Sequence, residues 1–381
     1  MEKIIKLEGS IGSENAQEVE EKIRSQLSST NDKVTLDAEN LNYISSSGLR
    51  VVLKIKKEFP HTQIINCSQN IYDIFSITGF TDMIDVYKKL REISLEGCEK
   101  IGTGFYGDVY RFDSDTIVKL YKYPGSLDMI KREQRLAKKA FVMGIPTAIP
   151  YDIVKIGDNY GALFERLDAK PVINLIEDDE TIKDFCDRCV KFLKHMHSLK
   201  LNPGDLPNRK EQFFVQIEGC KDYFTVEEYE KLYNMAEDIP DMDTMIHSDF
   251  HIKNIMMQDD ELLIIDMDTL SQGHTVFEFG AMYATYVGFG CINHNNTMEF
   301  LGIPEDKCKM IWDNIFRGYF EDKSEEDLRK ILKKIEVISY MEILYLRMKY
   351  GDHNDEITNK EIEFCVNFIK QAVNEIYSLY Y

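Results

Sequence analysis

Between residues 245 and 266 an apolar chain is broken by a few polar side chains, in an order that leaves little freedom of fold. Met245 and Ile246 lead into His247-Ser248-Asp249-Phe250-His251-Ile252-Lys253-Asn254. Two short, mostly apolar runs follow, 254–258 and 262–265, joined by Asp259-Asp260-Glu261. Apolar runs of this length separated by an acidic turn read as two strands of a hairpin. The polar stretch is then one loop between a helix and that hairpin. It carries a carboxylate, Asp249, and a carboxamide, Asn254, five residues apart, and a second carboxylate, Asp266, stands where the hairpin ends. A loop carboxylate can accept or orient a proton, and oxygen donors of the Asn and Asp type suit hard divalent cations. Three such groups at this order and spacing are hard to obtain by accident.

Upstream, Ile101-Gly102-Thr103-Gly104-Phe105-Tyr106-Gly107-Asp108-Val109-Tyr110 fits G-x-G-x-x-G-x-V, in which glycines let a β-turn-β backbone come close to phosphates. Dinucleotide-binding folds use a similar spacing, but a helix must follow it there. Here the next element is an apolar strand, Ile117-Val118-Lys119-Leu120-Tyr121, which presents Lys119 to the α- and β-phosphates of a nucleotide. A charged helix over 127–142 carries Glu133, placed to pair with Lys119 and fix its aim, the bland alternative being a solvated glutamate. Residues 161–167 read as a buried strand running out into a connector between lobes. Adenine would bond to backbone there, at the level of Glu165.

A chain of 381 residues exceeds one ordinary core, so two or three folding units are expected. Lys and Arg number 46 against 66 Asp and Glu, a balance of −20 that opposes wrapping nucleic acid and would draw in a cationic small molecule, although acidic balance is also common among soluble proteins. The first residues alternate charged and apolar side chains with no secretory core. The most apolar later stretch, 279–292, is shorter than the ~20 residues that cross a bilayer, so a cytoplasmic protein with no membrane partner is expected. Eight scattered cysteines suggest reduced, mostly buried thiols. Cys186, Cys189, His195 and His197 look like metal ligands until placed on a helix. Cys186 and His197 would then lie roughly 16 Å apart, too far to share one zinc ion.

Residues 1–91 alternate strand and helix signals. They give a strand through Ile4, Ile5 and Leu7, a turn at Gly9 to Gly12, a helix capped by Ser13, a strand at 34–36, a helix at 46–59, a strand at 62–67 and a helix at 71–77 closed by Gly79. Through Leu36-Asp37-Ala38-Glu39-Asn40-Leu41-Asn42-Tyr43-Ile44-Ser45-Ser46-Ser47-Gly48-Leu49 this α/β stretch resembles the STAS fold of anti-sigma-factor antagonists. That family usually writes Asp-Ser-Ser-Gly at the helix start, where the first Ser can be a phosphoacceptor. Ser45 replaces the Asp here, and Ser46 falls at the acceptor position. The resemblance implies a regulatory module with a protein partner.

From about residue 95 to 381 the chain resembles the aminoglycoside phosphotransferase and choline kinase family, which writes H-G-D-[LF]-H-x-x-N and I-D-x-x where this sequence has 247–254 and Ile265-Asp266-Met267-Asp268. Ser248 departs from the usual Gly. The resemblance implies an α+β, protein-kinase-like bilobal fold, with a β-rich lobe over 92–168 and a helical lobe over 169–381. It also implies ATP and Mg²⁺ as cofactors, with His247 as an orienting scaffold, Asp249 as base and Asn254 and Asp266 as metal ligands; Asp268 is left between a supporting and a substrate-facing role. Gly102, Gly104, Gly107, Lys119, Glu133 and Glu165 complete the nucleotide set. The expected activity is phosphoryl transfer to a hydroxyl of an aminoglycoside, amino sugar or choline-like amino alcohol. A protein kinase would show D-F-G and, further on, A-P-E. A regulatory protein kinase, or an inactive kinase-like module working through the STAS part, stands as the alternative.

Overall fold

The structure, a computed structural model, describes residues 2–28, 33–104, 107–123 and 126–381. The chain divides into two compact units, residues 1–95 with 153–160, and residues 96–152 with 161–381.

In the first unit strands β1 (Glu2–Ile11), β2 (Lys33–Ile44), β3 (His61–Cys67) and β4 (Asp85–Lys88) form a parallel sheet in that order, with helices α1 (Ala16–Ser25), α2 (Ser46–Glu58) and α3 (Gln69–Ile77) as connections. Val34, Leu36, Ile55, Ile64, Ile71 and Phe75 fill its core. The second strand is longer than the 34–36 expected, β4 was not expected, and the join of β1 and α1 differs from the sequence reading in two details. No turn forms at Gly9; β1 runs on to Ile11 through a register shift at Gly9, whose left-handed φ of +68° absorbs it. The helix also starts two residues late, because Asn15 rather than Ser13 closes the turn: its side chain accepts from the Gly12 N–H and donates to the Ser10 carbonyl. The short strand β5 (Arg91–Glu92) pairs in parallel with Val154 and Lys155.

The second unit opens with β6 (Glu99–Thr103), β7 (Gly107–Arg111) and β8 (Thr116–Tyr121), continues with α4 (Leu127–Val142), β9 (Pro150–Ile156) and β10 (Asn159–Glu165), and orders its antiparallel strands β10-β8-β7-β6. Its remainder is mostly helical: β11 (Lys170–Pro171), α5 (Asp179–Ser198), α6 (Arg209–Gly219), α7 (Val226–Glu237), β12 (Met245–Ile246), β13 (Ile255–Gln258), β14 (Glu261–Ile264), β15 (Ser271–Gln272), α8 (Val276–Tyr286), α9 (Asn296–Phe300), α10 (Glu305–Tyr319), α11 (Glu325–Tyr350) and α12 (Glu356–Glu375). The unit is thus the β-rich part followed by the helical part that the kinase-like fold requires. Helix α5 turns Cys186, Cys189 and His197 into the core and leaves His195 exposed. Apolar α8 lies against α11 and α10, and β12 pairs with β15 above its start. No helix among the described residues is long and apolar enough to cross a membrane.

Candidate functional site

Side chains alternate along β8, and Val118 enters the core while Lys119 points the other way. The Lys119 ammonium lies 2.8 Å from Glu133 Oε1 on α4 and 2.8 Å from Asp266 Oδ1. Burial pushes the Lys119 ammonium down, but the two carboxylates outweigh it and raise it well above the ordinary lysine value, so it stays charged.

Among the glycines of the β6–β7 turn, Gly107 is demanded by the fold: a Cβ there would lie 2.3 Å from the Leu120 carbonyl oxygen. At Gly102 and Gly104 a Cβ would meet nothing among the described residues closer than 3.5 Å. Packing does not require glycine at those two positions, and they leave an open face to the turn. Phe105 and Tyr106 of the same motif lie outside the described residues. Lys122 Nζ donates to the Gly104 carbonyl at 3.1 Å, a cation that the motif alone does not point to.

The polar loop begins where β12 ends. Ser248 holds a left-handed φ of +64°, which explains why a glycine is usual at this position. Glu278, at the start of α8 and 0% exposed, accepts the His247 N–H at 2.6 Å and the Ser248 N–H at 3.1 Å. Ser248 Oγ also bonds Ser271 Oγ on β15 at 3.0 Å. This bracing presents Asp249, whose side chain is 36% exposed. Asn254 Nδ2 donates to Asp249 Oδ2 at 2.8 Å and to the Asp249 carbonyl at 3.1 Å, so the Asn254 oxygen takes no part in holding Asp249. The Ile265 N–H bonds the Asn254 carbonyl at 2.9 Å, so the hairpin sets Asp266 beside Asn254. Asp266 itself is left-handed at φ +66°.

His247 is fully buried, its backbone N–H is held by Glu278, and its ring nitrogens have no hydrogen-bond partner among the described residues. The imidazole at the carboxylate belongs to His251, whose Nε2 lies 3.2 Å from Asp249 Oδ1. Desolvation pushes the Asp249 carboxyl up; His251, His247 and the Asn254 amide outweigh it and hold the group below the usual carboxylate value. Burial and the neighbouring Asp266 and Glu133 push Asp268 up to about 7.

Glu165 is less available than expected. Its N–H bonds the Ile149 carbonyl at 2.9 Å and its carboxylate accepts the Ile149 N–H at 3.2 Å, and the following Arg166 N–H bonds Asp115. The N–H groups of Glu165 and Arg166 are therefore already engaged. In the first unit, Ser45 caps α2 by accepting the Gly48 N–H at 3.3 Å, and Ser46 is its exposed first residue. Glu278 was not singled out from sequence, although a lone acid inside Val276-Phe277-Glu278-Phe279-Gly280 is a signal, since a buried charge demands partners.

A family model described as the phosphotransferase enzyme family matches residues 97–292, and one described as the STAS domain matches residues 2–93. A Bordetella bronchiseptica protein named as an anti-sigma factor antagonist, BtrV, is 34% identical over 84 residues, 21% of this chain and 72% of that protein. Among solved structures, a mutant of aminoglycoside phosphotransferase APH(4)-Ia in ternary complex with AMP-PNP and hygromycin B aligns at TM-score 0.51 and 11% identity, over 73% of this chain and 93% of that one. ADP-bound APH(2″)-Ib aligns at TM-score 0.49 and 15% identity, over 81% and 99%. At such identities the APH(4)-Ia likeness is one of fold.

Proposed function

Since the chain belongs to the phosphotransferase enzyme family and carries a STAS domain ahead of it, we propose that it transfers the γ-phosphoryl group of ATP to a hydroxyl of a small, amine-bearing acceptor such as an aminoglycoside, amino sugar or amino alcohol. The supporting observation is convergence. Lys119 from the strands and Asp249, by way of Asn254, from the polar loop meet at Asp266.

The residues fit a magnesium ion. Asp266, Glu133 and Asp249 all act on Asp268, and Glu133 and Asp266 on the one lysine, an excess of negative charge that a cation would offset. Among the described residues no three His, Cys, Asp or Glu side chains converge on a metal position, which suits an ion that takes an Asn oxygen, phosphate oxygens and water besides a carboxylate. Asn254 Oδ1 and Asp266 would hold it, and when bound it would neutralise charge on the phosphates.

The chain's own residues divide the remaining work. Gly102 and Gly104 let the turn backbone close on the phosphates, and Lys119, aimed by Glu133, pairs with the α- and β-phosphates. Asp249 orients the acceptor hydroxyl and takes its proton, while His251 and Asn254 fix both of its oxygens. The balance of −20 favours a cationic acceptor. The STAS unit serves as a regulatory or docking domain for a protein partner, with Ser46 as its candidate phosphoacceptor, at a helix start where an anion is favoured. The protein works in the cytoplasm on this reading.

The test is ATP consumption by purified protein against a panel of amino alcohols, amino sugars and aminoglycosides. Asp249→Asn and Asp266→Ala are each expected to abolish transfer, and Lys119→Ala to cripple it. Three folded variants turning over ATP at the wild-type rate would refute the assignment.

A further inference from the structure

Lys119 and Tyr121 are two residues apart on β8 and so leave the sheet on the same face, toward Glu133. Tyr121 is 0% exposed. Its hydroxyl donates to Glu133 Oε2 at 2.5 Å while Lys119 Nζ donates to Glu133 Oε1 at 2.8 Å. The lysine ammonium also lies 5.4 Å from the centre of the Tyr121 ring. Both oxygens of Glu133 are thus engaged, one by each residue of the pair.

We propose that Tyr121 is a positioning residue for nucleotide binding, its hydroxyl locking the Glu133 carboxylate so that Lys119 is held in line for the phosphates. The proposal rests on the phosphotransferase reading above and goes beyond it, since no motif at this site includes a tyrosine. Lys119 is shared between Glu133 and Asp266, and its position depends on how firmly each carboxylate is fixed. With Oε2 held by the tyrosine, Glu133 offers the ammonium one oxygen in one direction. Without the hydroxyl, Oε2 is buried without its donor, and rotating toward the ammonium draws it from the phosphate path. Burial and the adjacent Glu133 raise the Tyr121 hydroxyl far above its ordinary value, so it remains a donor at all working pH values. A phenylalanine would fill the same volume and bury the same ring, which separates the hydroxyl's role from packing.

The experiment compares wild type, Tyr121→Phe, Glu133→Gln and the double variant in the full-length protein. It measures MgATP affinity by calorimetric titration, KM and kcat for ATP turnover, and thermal unfolding. Tyr121→Phe is expected to weaken MgATP binding and raise its KM by about tenfold while kcat changes less than about threefold, because the phosphates and not the acceptor lose their contact. In the Glu133→Gln background the same substitution should add less than about twofold, since the carboxylate through which it acts is gone. An unchanged MgATP affinity in Tyr121→Phe, or an equal loss with and without Glu133, overturns the proposal. So does loss of the folded state in Tyr121→Phe, which would assign the hydroxyl to stability. Wild type that binds no MgATP would instead sink the phosphotransferase reading, and the inference with it.

Discussion

Glu278→Gln is the substitution on which the structure makes its sharpest demand. The native carboxylate is fully buried and accepts two backbone N–H groups, from His247 at 2.6 Å and Ser248 at 3.1 Å, with His197 Nε2 3.6 Å away. Glutamine keeps one acceptor oxygen and turns an NH₂ toward the second N–H, two donors face to face. A buried hydrogen bond to a charged group contributes about 1.5–3 kcal/mol, and a stranded donor costs about 1–3 kcal/mol, so a net loss of about 3 kcal/mol is expected. For a unit of this size that lowers Tm by about 6 °C. The functional effect should be larger than the loss of stability implies. Ser248 holds its left-handed φ with Glu278 and Ser271 bound to it, and relaxing it would recover about 1–2 kcal/mol of strain while carrying Asp249 with it. A shift near 1 Å at a reacting group costs on the order of 100-fold in kcat. MgATP affinity should fall less than kcat, because Lys119, Glu133 and the glycine turn are untouched and only Asn254 follows Asp249. Ser248→Gly in the same background should recover part of kcat by removing the strain. The assays are thermal unfolding, MgATP titration and ATP turnover with the best acceptor of the panel. A variant with unchanged Tm and kcat would refute the bracing argument, as would MgATP affinity falling as far as kcat.

His274 makes stability depend on acid. Its Nδ1 accepts the Val276 N–H at 3.0 Å, and burial among Tyr380 and Tyr381, with Lys334 adding its charge, lowers the imidazole from 6.5 to about 4. Because the unfolded chain binds the proton more readily, this contribution is complete above pH 6.5 and is lost as pH falls toward 4; it is about 3 kcal/mol in total, with about 2 kcal/mol gone by pH 5. Denaturant midpoints at pH 7 and pH 5 should therefore converge in His274→Gln, and an unchanged pH slope would refute the assignment. A chain beginning at residue 96 retains every residue assigned to ATP chemistry and should turn over ATP. Residues 153–160, deprived of their pairing with Arg91 and Glu92, should become its first site of proteolytic nicking. A folded truncation without turnover would show that the STAS unit completes the site.

What could be read in advance was what is local. Helix α4 spans Leu127–Val142, where a charged helix is expected, and Lys119 meets Glu133 because a strand and the next helix bring them together within 14 residues. Asp249, Asn254 and Asp266 were legible for the same reason, lying in one loop and one hairpin. What escaped depends on partners far along the chain or on hydrogen bonds that periodicity does not encode. The β1–α1 boundary turns on a single Asn15 side chain that competes with the helix for the backbone of the preceding turn. Glu278 acts 30 residues from the backbone it braces, and Tyr121 reads as one more apolar strand residue until α4 is packed against it. Ser248 joins the two cases. From sequence it is a small departure from glycine; in the fold its φ of +64° makes it a strained residue, and the Ser271 hydroxyl gives it a partner that glycine could not engage. The departure is tolerable because Glu278 accepts the same backbone N–H, so the serine and the buried glutamate form one device, and substituting either should change what the other contributes.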